Sequence, residues 1–315
     1  MSRSWHCITA LCAWLWLYAP LTQACPDATC VRIGSWNIEW LGSDKREQPV
    51  DQSTLEAMAS LIANDWSIDL ITLQEINTAL DGEYRGEHYS LKTWHALQQA
   101  LERRGYQTIA GQSGNAQHIV MAWRRPVVSL IPATDLSVPD RFVINEFCRS
   151  AHLRKPLAGL FRAGHFDFWL IGIHLKAGTG NTACNNAVRE MQTADIARQL
   201  SSLTRRDADI LIAGDFNATA RHKTLSPLAD VGFYPVSDKQ TRHPDSGRFS
   251  HIGNQDKKPG SGTQLDQIML LPTSEPEWKA RSTRIYKPDN LKQFASRFSD
   301  HLPLWTDFST TQDDD

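Results

Sequence analysis

Side chains able to bind a cation or move a proton recur in this 315-residue chain at the ends of apolar runs. Ser35-Trp36-Asn37-Ile38-Glu39 follows the first such run and Leu73-Gln74-Glu75-Ile76 the second. Ile173-His174-Leu175-Lys176 closes a later run and Ala213-Gly214-Asp215-Phe216-Asn217 the next; Leu265-Asp266-Gln267 lies on another, and Ser299-Asp300-His301 leads into the last. Carboxylate and amide oxygens suit hard divalent cations, and a histidine beside an aspartate can hold or pass a proton near neutral pH. Taken singly, each group has a plainer reading. An Asp or Asn after a strand is more often a turn or a helix cap. His174 alone would be a hydrogen-bonded packing residue, Glu75 a solvated carboxylate, and Lys176 and Arg154 surface charges. Their joint occurrence and order point instead to one site.

Strands that end on one rim would deliver these side chains to a common place. From Val31 onward, short apolar runs alternate with helical stretches, the pattern of an α/β protein with strands inside and helices outside. Strands are predicted over Val31–Ile38, Asp69–Gln74, Ile119–Arg124, Phe166–His174, Asp209–Ala213, Gln264–Leu271 and Leu302–Asp307, with partial alternation visible from Phe166 to Ile173. Helices are predicted over Thr54–Trp66, where Leu55, Met58, Ala59 and Ile62 share a face and Ser53 with Glu56 forms a capping box. Two more are predicted over Leu91–Arg104, stopped by Gly105, and over Asn186–Leu203, with Val188, Met191 and Ile196 turned inward. The stretch Ser237–Gly262 is expected as a long loop beside the site, and Asp313–Asp315 as a solvated tail.

Residues 1–24 read as a secretory leader, with Arg3 in a short basic start, an apolar stretch from Ile8 to Leu21, and Thr22 and Ala24 before a cleavage point at Cys25. Leu21-Thr22-Gln23-Ala24 matches a lipidation motif poorly, so a secreted or periplasmic soluble product is expected, a lipoprotein being the alternative. Residues 25–309 then form one domain and 310–315 an acidic tail. No later run is long and apolar enough to cross a bilayer, so no stable membrane insertion is expected; 41% hydrophobic and 22% charged residues are ordinary for a globular protein. A monomer is the working expectation. Cys25, Cys30, Cys148 and Cys184 remain after the leader, an even number that suits an oxidising compartment. The expected pairings are Cys25–Cys30, which closes a short loop, and Cys148–Cys184, which brackets the segment carrying His174. A zinc site made of these cysteines would need close Cys-x-x-Cys pairs, and none occurs. The formal net charge of −2 gives no global attraction to a polyanion, so a nucleic-acid substrate would need local positive patches. The candidates are Arg154-Lys155, Arg205-Arg206, Arg221-His222-Lys223 and Lys257-Lys258.

In their order along the chain the motifs resemble the endonuclease/exonuclease/phosphatase superfamily, the DNase I-like proteins. That superfamily includes pancreatic-type deoxyribonucleases, abasic-site endonucleases, bacterial sphingomyelinases and inositol polyphosphate 5-phosphatases. Gly214-Asp215-Phe216-Asn217 and Ser299-Asp300-His301 are the most specific pieces, supported by Trp36-Asn37 and Leu73-Gln74-Glu75. The resemblance implies an α/β fold in four layers, an α/β/β/α sandwich of two mixed sheets flanked by helices, with the active site at one end. It implies that Glu75, with Asn37 and Asp300, holds a divalent ion, with Glu39 a second-choice ligand. Mg²⁺ is the expected ion, Mn²⁺ the alternative, and Ca²⁺ an option as a structural ion. His174, Asn217 and His301 would donate to phosphate oxygens, and Asp215 would orient or deprotonate the attacking water. Asp266 would hydrogen-bond His301, fixing its tautomer and keeping it protonated. Arg154 would contact the scissile phosphate, with Lys176 beside it. In pancreatic-type nucleases the histidine matching His174 has a carboxylate partner on an earlier strand; here Ala116-Gln117-His118 offers none.

The resemblance fixes the reaction class better than the substrate. It implies an exported, metal-dependent phosphodiesterase, an endonuclease that is either DNA-preferring or sugar-nonspecific and works by in-line attack of water. The 5-phosphatases carry Trp-x-x-Asp-Arg where this chain has Leu265-Asp266-Gln267, which counts against phosphoinositides. A sphingomyelinase shares the catalytic set but needs an exposed apolar hairpin. No aromatic-tipped hairpin is read from the loops, Trp40-Leu41 and Phe294 being the nearest substitutes. His174-Leu175-Lys176-Ala177-Gly178 with Cys184, Arg189 and Gln192 resembles exported bacterial nucleases. A catalytically inactive binding or toxin-subunit module is the reading from another class, and the intact metal and proton-transfer positions count against it.

Overall fold

Long strands buried on both faces occupy the centre of the protein, and the polar motifs sit at their ends. The computed structural model describes residues 29–46, 50–178, 180–236, 249–253 and 262–313. The leader, the Cys25–Cys30 pairing, Lys257-Lys258 and most of Ser237–Gly262 lie outside the described residues. The chain runs β1 (Cys30–Leu41), α1 (Gln52–Ser60), β2 (Leu70–Ile76), β3 (Gly82–Tyr84), β4 (Glu87–Tyr89), α2 (Leu91–Glu102), β5 (Tyr106–Ala110), β6 (His118–Arg124) and β7 (Ser129–Asp135). It continues through β8 (Phe142–Asn145), β9 (Cys148–Ser150), β10 (Leu157–Ala163), β11 (Phe166–His174), α3 (Thr182–Leu203), β12 (Ile210–Asp215) and α4 (Ser226–Asp230). It closes with β13 (Tyr234–Pro235), β14 (Asp266–Leu270), β15 (Arg284–Ile285), α5 (Leu291–Arg297) and β16 (Leu304–Ser309).

Sheet one has the order β15-β16-β1-β2-β6-β5 and sheet two β13-β14-β12-β11-β10-β7, while β3-β4 and β8-β9 are separate hairpins. Both large sheets are mixed: β1–β2 and β11–β12 are parallel, and their outer neighbours pair antiparallel. Ile33, Leu70, Met121, Phe161, Phe168, Leu211 and Phe308 form the apolar filling between the sheets. Leu55, Met58, Trp94 and Leu97 of α1 and α2 cover the outer face of sheet one, and Ile196, Leu200 and Leu228 of α3 and α4 cover sheet two. This is the expected α/β/β/α sandwich. The partial alternation in β11 has its explanation here, because this strand is covered on both faces and is buried almost throughout.

Several local expectations are corrected. Asp51, not Ser53, caps α1: its carboxylate accepts from Thr54 N at 2.7 Å, and Ser53 Oγ donates to the same carboxylate. An ionised carboxylate is the stronger acceptor at a helix N-terminus, and Glu56 turns instead to Arg104 at 3.0 Å. In α3, Val188 and Ile196 are buried as expected, but Met191 is exposed while Arg189, Gln192, Thr193 and Asp195 are buried. The inner face is polar because it grips the chain after β11: Gln192 Oε1 accepts from Lys176 N at 2.9 Å, and Arg189 Nη1 donates to Lys176 O at 2.7 Å. Asp313, expected in a solvated tail, accepts from Asp167 N at 3.2 Å. The Cys148–Cys184 disulfide forms, with Cα atoms 5.4 Å apart. The hairpin β8–β9, absent from the sequence reading, carries an exposed Phe147 at its turn, whereas Leu41 and Phe294 are buried. Among the described residues no helix is long and apolar enough to cross a membrane.

Sheet one is locked near its centre by a buried ion pair. Arg32 on β1 lies across from Asp307 on β16; Nε is 2.7 Å from Oδ1, Nη2 is 3.0 Å from Oδ2, and Nη1 donates to Trp66 O at 2.7 Å. Removing one member of a buried pair strands the other charge at a cost of about 3–5 kcal/mol. Arg32→Ala should therefore lower the unfolding free energy by about that amount, and Arg32→Met with Asp307→Leu should recover much of it. A urea titration in which Arg32→Ala matches the parent would refute this.

Candidate active site

The neighbouring strands β11, β12 and β14 place three ionisable side chains on one rung. Their registers set His174 opposite Asp215 and Asp215 opposite Asp266, and residues opposite one another in a ladder project from the same face. The strands are drawn close here because residue 214 is glycine: a Cβ at Gly214 would lie 2.0 Å from Ile173 O.

Sheet one completes the site through two irregular strand ends. The pairing of β1 with β2 slips between Asn37 and Leu41, and that of β2 with β6 between Leu73 and Ile76. Glu39, Trp40 and Glu75 have φ of 48°, 45° and 65°, and Asn217, after β12, has 49°. Such left-handed backbone costs a non-glycine residue on the order of 1–3 kcal/mol, and bulges of this kind re-aim side chains. The re-aimed Glu75 meets the other sheet. Asn37 Nδ2 donates to Glu75 Oε1 at 3.0 Å and to Asp215 Oδ2 at 3.1 Å, while Trp40 N donates to Glu75 Oε2 at 3.1 Å. Asn37 Oδ1 accepts from Glu39 N at 3.0 Å.

His301 Nδ1 is 2.7 Å from Asp266 Oδ2, and its Nε2 is 4.0 Å from Asp215 Oδ2. Burial works against the charged imidazolium, but Asp266, by charge and hydrogen bond, with Asp215 and Asp300, outweighs it and holds His301 well above its ordinary pKa. Asp215 is pushed up to about 7, first by burial and then by the like charge of Asp266. Its Oδ1 accepts from Asn217 N at 2.7 Å, and Oδ2 accepts from Asn217 Nδ2 at 3.2 Å. His174 Nε2 stands 3.6 Å from both Glu75 Oε1 and Asp215 Oδ2. Burial, then the charges of Arg154 and His301, hold His174 well below its ordinary pKa. The two imidazoles therefore carry different charges at neutral pH.

Carboxylates crowd the open side of the site. Asp300 N donates to Glu39 Oε2 at 3.2 Å, and Glu39 is pushed above its usual range by burial, Asp300 and Glu75 against the pull of Arg46. Such mutual repulsion is what a bound cation relieves. Groups that could hold a metal ion include Glu75 with His174 and Asp215, and His251 with Asp300 and His301, their donor atoms lying within 4.8 Å of one another. Glu39, which feels the charges of Asp300 and Glu75, adds a further carboxylate beside these groups.

Cations form the opposite rim. Arg154 donates to Gln117 Oε1 and to Leu175 O, each at 3.1 Å, and Arg189 holds Lys176 O. Lys176 is lowered from its ordinary pKa by burial and by the charges of Arg154 and Arg189, so these three cations share one neighbourhood. His174 Nδ1 is buried with no hydrogen-bond partner among the described residues; Gln117, on the preceding loop of β6, is engaged by Arg154 instead. The exposed Arg205-Arg206 pair follows the far end of α3, about 24 Å along the helix from Arg189 at 1.5 Å rise per residue.

All the expected catalytic and metal-binding positions thus lie at one end of the sandwich. Sequence reading missed His251, whose Nε2 is 3.3 Å from Asp300 Oδ2 and whose ring lies 4.8 Å from that of His301. It gave Arg46 and Gln117 no role at the site, and Arg189 none either. His251 and Arg46, isolated in loops, carry no periodic or motif signal; Arg189 belongs to the stretch that resembles exported bacterial nucleases, but only the folded chain shows that it holds Lys176 O.

A family model described as the Endonuclease/Exonuclease/phosphatase family matches residues 34–301. No curated protein matches the sequence. Among solved structures, a family protein from Bacteroides thetaiotaomicron is 15% identical with a TM-score of 0.61, covering 90% of this chain and 99% of that one. D. rerio TDP2 complexed with single-strand DNA product is 16% identical with a TM-score of 0.57, covering 89% and 98%. The 3′ phosphatase NExo from Neisseria, bound to a product DNA hairpin, is 15% identical with a TM-score of 0.57, covering 88% and 99%. At such identities these neighbours speak for the shared fold. From the matched span, which reaches from the middle of β1 to His301, the chain belongs to the endonuclease/exonuclease/phosphatase family.

Proposed function

We propose that the protein is an exported, divalent-metal-dependent phosphodiesterase, a DNA-preferring or sugar-nonspecific endonuclease that works by in-line attack of water. The observation that carries this reading is the rung of His174, Asp215 and Asp266 closed by a protonated His301 and faced by Glu75. Glu75 with Asp300, Glu39 and Asn37 would hold the ion, and Mg²⁺ bound there supplies positive charge to the non-bridging phosphate oxygens. Asp215, with a pKa of about 7, is suited to take a proton from water near neutral pH. His301 stabilises charge on the leaving oxygen or protonates it, and Asp266 keeps the imidazolium in place. His174 and Asn217 contribute neutral hydrogen-bonding groups, and Arg154 with Lys176 meets the phosphate. The cationic rim supports a polyanionic substrate, as do the DNA products named for TDP2 and NExo. The leader-like start and the Cys148–Cys184 disulfide support export.

Incubation with plasmid DNA, RNA and sphingomyelin in parallel, with Mg²⁺ or EDTA, tests this. The expected result is EDTA-sensitive cleavage of DNA. Cleavage of sphingomyelin alone would replace the nuclease reading with a lipid one, and no cleavage of any substrate would favour a binding module. His301→Ala and Asp215→Ala should each reduce turnover by roughly 10²- to 10⁴-fold, and near-normal rates in either would defeat the assigned roles. Glu75→Gln should raise the Mg²⁺ concentration for half-maximal rate; an unmoved titration removes Glu75 from the metal.

The pH profile follows from two charges. With Asp215 acting ionised and His301 acting protonated, kcat rises through the Asp215 pKa and falls where His301 loses its proton. The Asp266 carboxylate raises both groups, Asp215 as a like charge and His301 as an opposite one. Asp266→Asn should therefore move both limbs of the profile to lower pH. Limbs that stay in place would show that Asp266 does not govern either group.

A further inference from the structure

His251 takes no part in the reaction proposed above, yet its ring is held at the open side of the site. Phe249 and Ile252 near it are buried in the core, and the backbone of residue 251 bridges to Thr263 and to His301. That anchoring sets His251 Nε2 3.3 Å from Asp300 Oδ2 and its ring 4.8 Å from that of His301. His301 turns its Nε2 toward the same carboxylate, 3.9 Å from Asp300 Oδ1. Its Nδ1 is committed to Asp266 at 2.7 Å, while Nε2, 3.9 Å from Asp300 and 4.0 Å from Asp215, is beyond hydrogen-bond reach of either. Two imidazoles thus flank one carboxylate, and the three donor atoms lie within 4.8 Å of one another.

An ion pair between His251 and Asp300 accounts for one of these approaches and says nothing of His301 Nε2. A metal ion accounts for all three. With ligand bonds of about 2.1 Å, neighbouring ligands stand about 3.4 Å apart around a tetrahedral ion and about 3.0 Å apart around an octahedral one. The separations of 3.3 and 3.9 Å fit the wider, tetrahedral spacing. Two imidazole nitrogens and one carboxylate oxygen are also donors that Zn²⁺ takes readily and Mg²⁺ does not. Asp266 stands where a carboxylate behind a ligating histidine orients the ring, and the part-exposed His251 and Asp300 leave a fourth position open to solvent. We propose that His251, Asp300 and His301 form a site for a borderline transition-metal ion of the Zn²⁺ class. The ion replaces the proton on His301 Nε2, which leaves to solvent, and it takes Asp300 from the set that holds Mg²⁺, so the occupied site is inhibited. The inhibition rests on the phosphodiesterase reading above; the binding site does not.

Calorimetric titration of the full, untagged chain with Zn²⁺ in saturating Mg²⁺, paired with absorption spectroscopy of the Co²⁺-loaded protein, tests the site. The expected results are one Zn²⁺ per chain and an intense visible Co²⁺ band, the mark of a four- or five-coordinate ion with nitrogen ligands. His251→Gln should weaken Zn²⁺ binding by at least about 10-fold and diminish the band, while matching the parent in thermal unfolding without zinc. His174→Gln should leave both binding and band in place. A parent that binds no zinc overturns the site, and so does binding that survives His251→Gln. Loss of binding in His174→Gln alone also overturns it, by placing the ion with Glu75 and Asp215. In plasmid cleavage with Mg²⁺, added Zn²⁺ should suppress the rate, and the half-inhibiting concentration should rise in His251→Gln by the factor seen in binding. Undiminished cleavage at saturating zinc overturns the inhibition. A parent that binds zinc as described but cleaves no phosphodiester overturns the phosphodiesterase reading and leaves the metal site standing.

Discussion

The bond between Asp266 and His301 joins the two sheets at their common end, and the site depends on it. Asp266 belongs to β14 of sheet two, and His301 stands before β16 of sheet one; both are buried, and Nδ1 and Oδ2 are 2.7 Å apart. Backbone and hydroxyl groups pin both members. Ser250 Oγ accepts from Leu265 N and Asp266 N at 3.0 and 2.8 Å, while Ser299 Oγ accepts from His301 N and donates to Asn37 O. Trp36 Nε1 donates to His301 O at 2.9 Å, tying the same segment to β1. Without the imidazolium, Asp266 and Asp215 would face each other across one rung as buried like charges, a state that forces one of them to take up a proton.

Strain and repulsion accumulate at this end because the rest of the sandwich can bear them. Glu39, Trp40, Glu75 and Asn217 hold left-handed backbone, and Glu39, Glu75 and Asp300 crowd their carboxylates. Beneath them lies a rigid floor: Gln74 Nε2 donates to Thr72 Oγ1 at 2.9 Å and to Ser35 Oγ at 3.2 Å, all three side chains fully buried. Side chains carried on strand ends above such a floor are held more closely than on free loops. The loop from Phe249 to Gly253 follows the same logic. Phe249 and Ile252 are buried in the core, which sets His251 against Asp300 and His301.

What the sequence made legible were the features repeated over many residues. Central strands such as β1, β2, β11 and β12 are long apolar runs, and the polar residues closing them mark the rim. Edge elements were lost for physical reasons: β7 contains Pro132, β5 is a short mixed run, and β8 and β9 are brief strands held by a disulfide; the interior strand β10 was lost too, its apolar run being broken by Gly159 and Arg162. An edge strand needs little β-propensity of its own when its neighbour supplies the ladder. The inward side of α3 was misjudged at Met191 because a helix face that clamps Lys176 must bury Arg189 and Gln192, which periodicity counts as solvent-facing. Residue identities at the site were readable, but the carboxylate crowding around Glu39 and the slip that turns Glu75 inward were not, since both arise from backbone geometry.

The two histidines show how partners rather than residue type set the chemistry. Each is buried and each faces Asp215, His174 from 3.6 Å and His301 from 4.0 Å. His301 has Asp266 on its other nitrogen and stays charged; among the described residues His174 has no carboxylate on its Nδ1, and its burial, then the charge of nearby Arg154, favours the neutral ring. A carboxylate at Gln117 would stabilise a second imidazolium. It would also compete for Arg154, whose guanidinium now reaches the Gln117 amide and Leu175 O. The glutamine therefore keeps one charged and one neutral imidazole around a single aspartate. In the proposed reaction that division would separate donation to the leaving oxygen from neutral hydrogen bonding at the phosphate; in the structure it places the strongly held proton of the pair on His301.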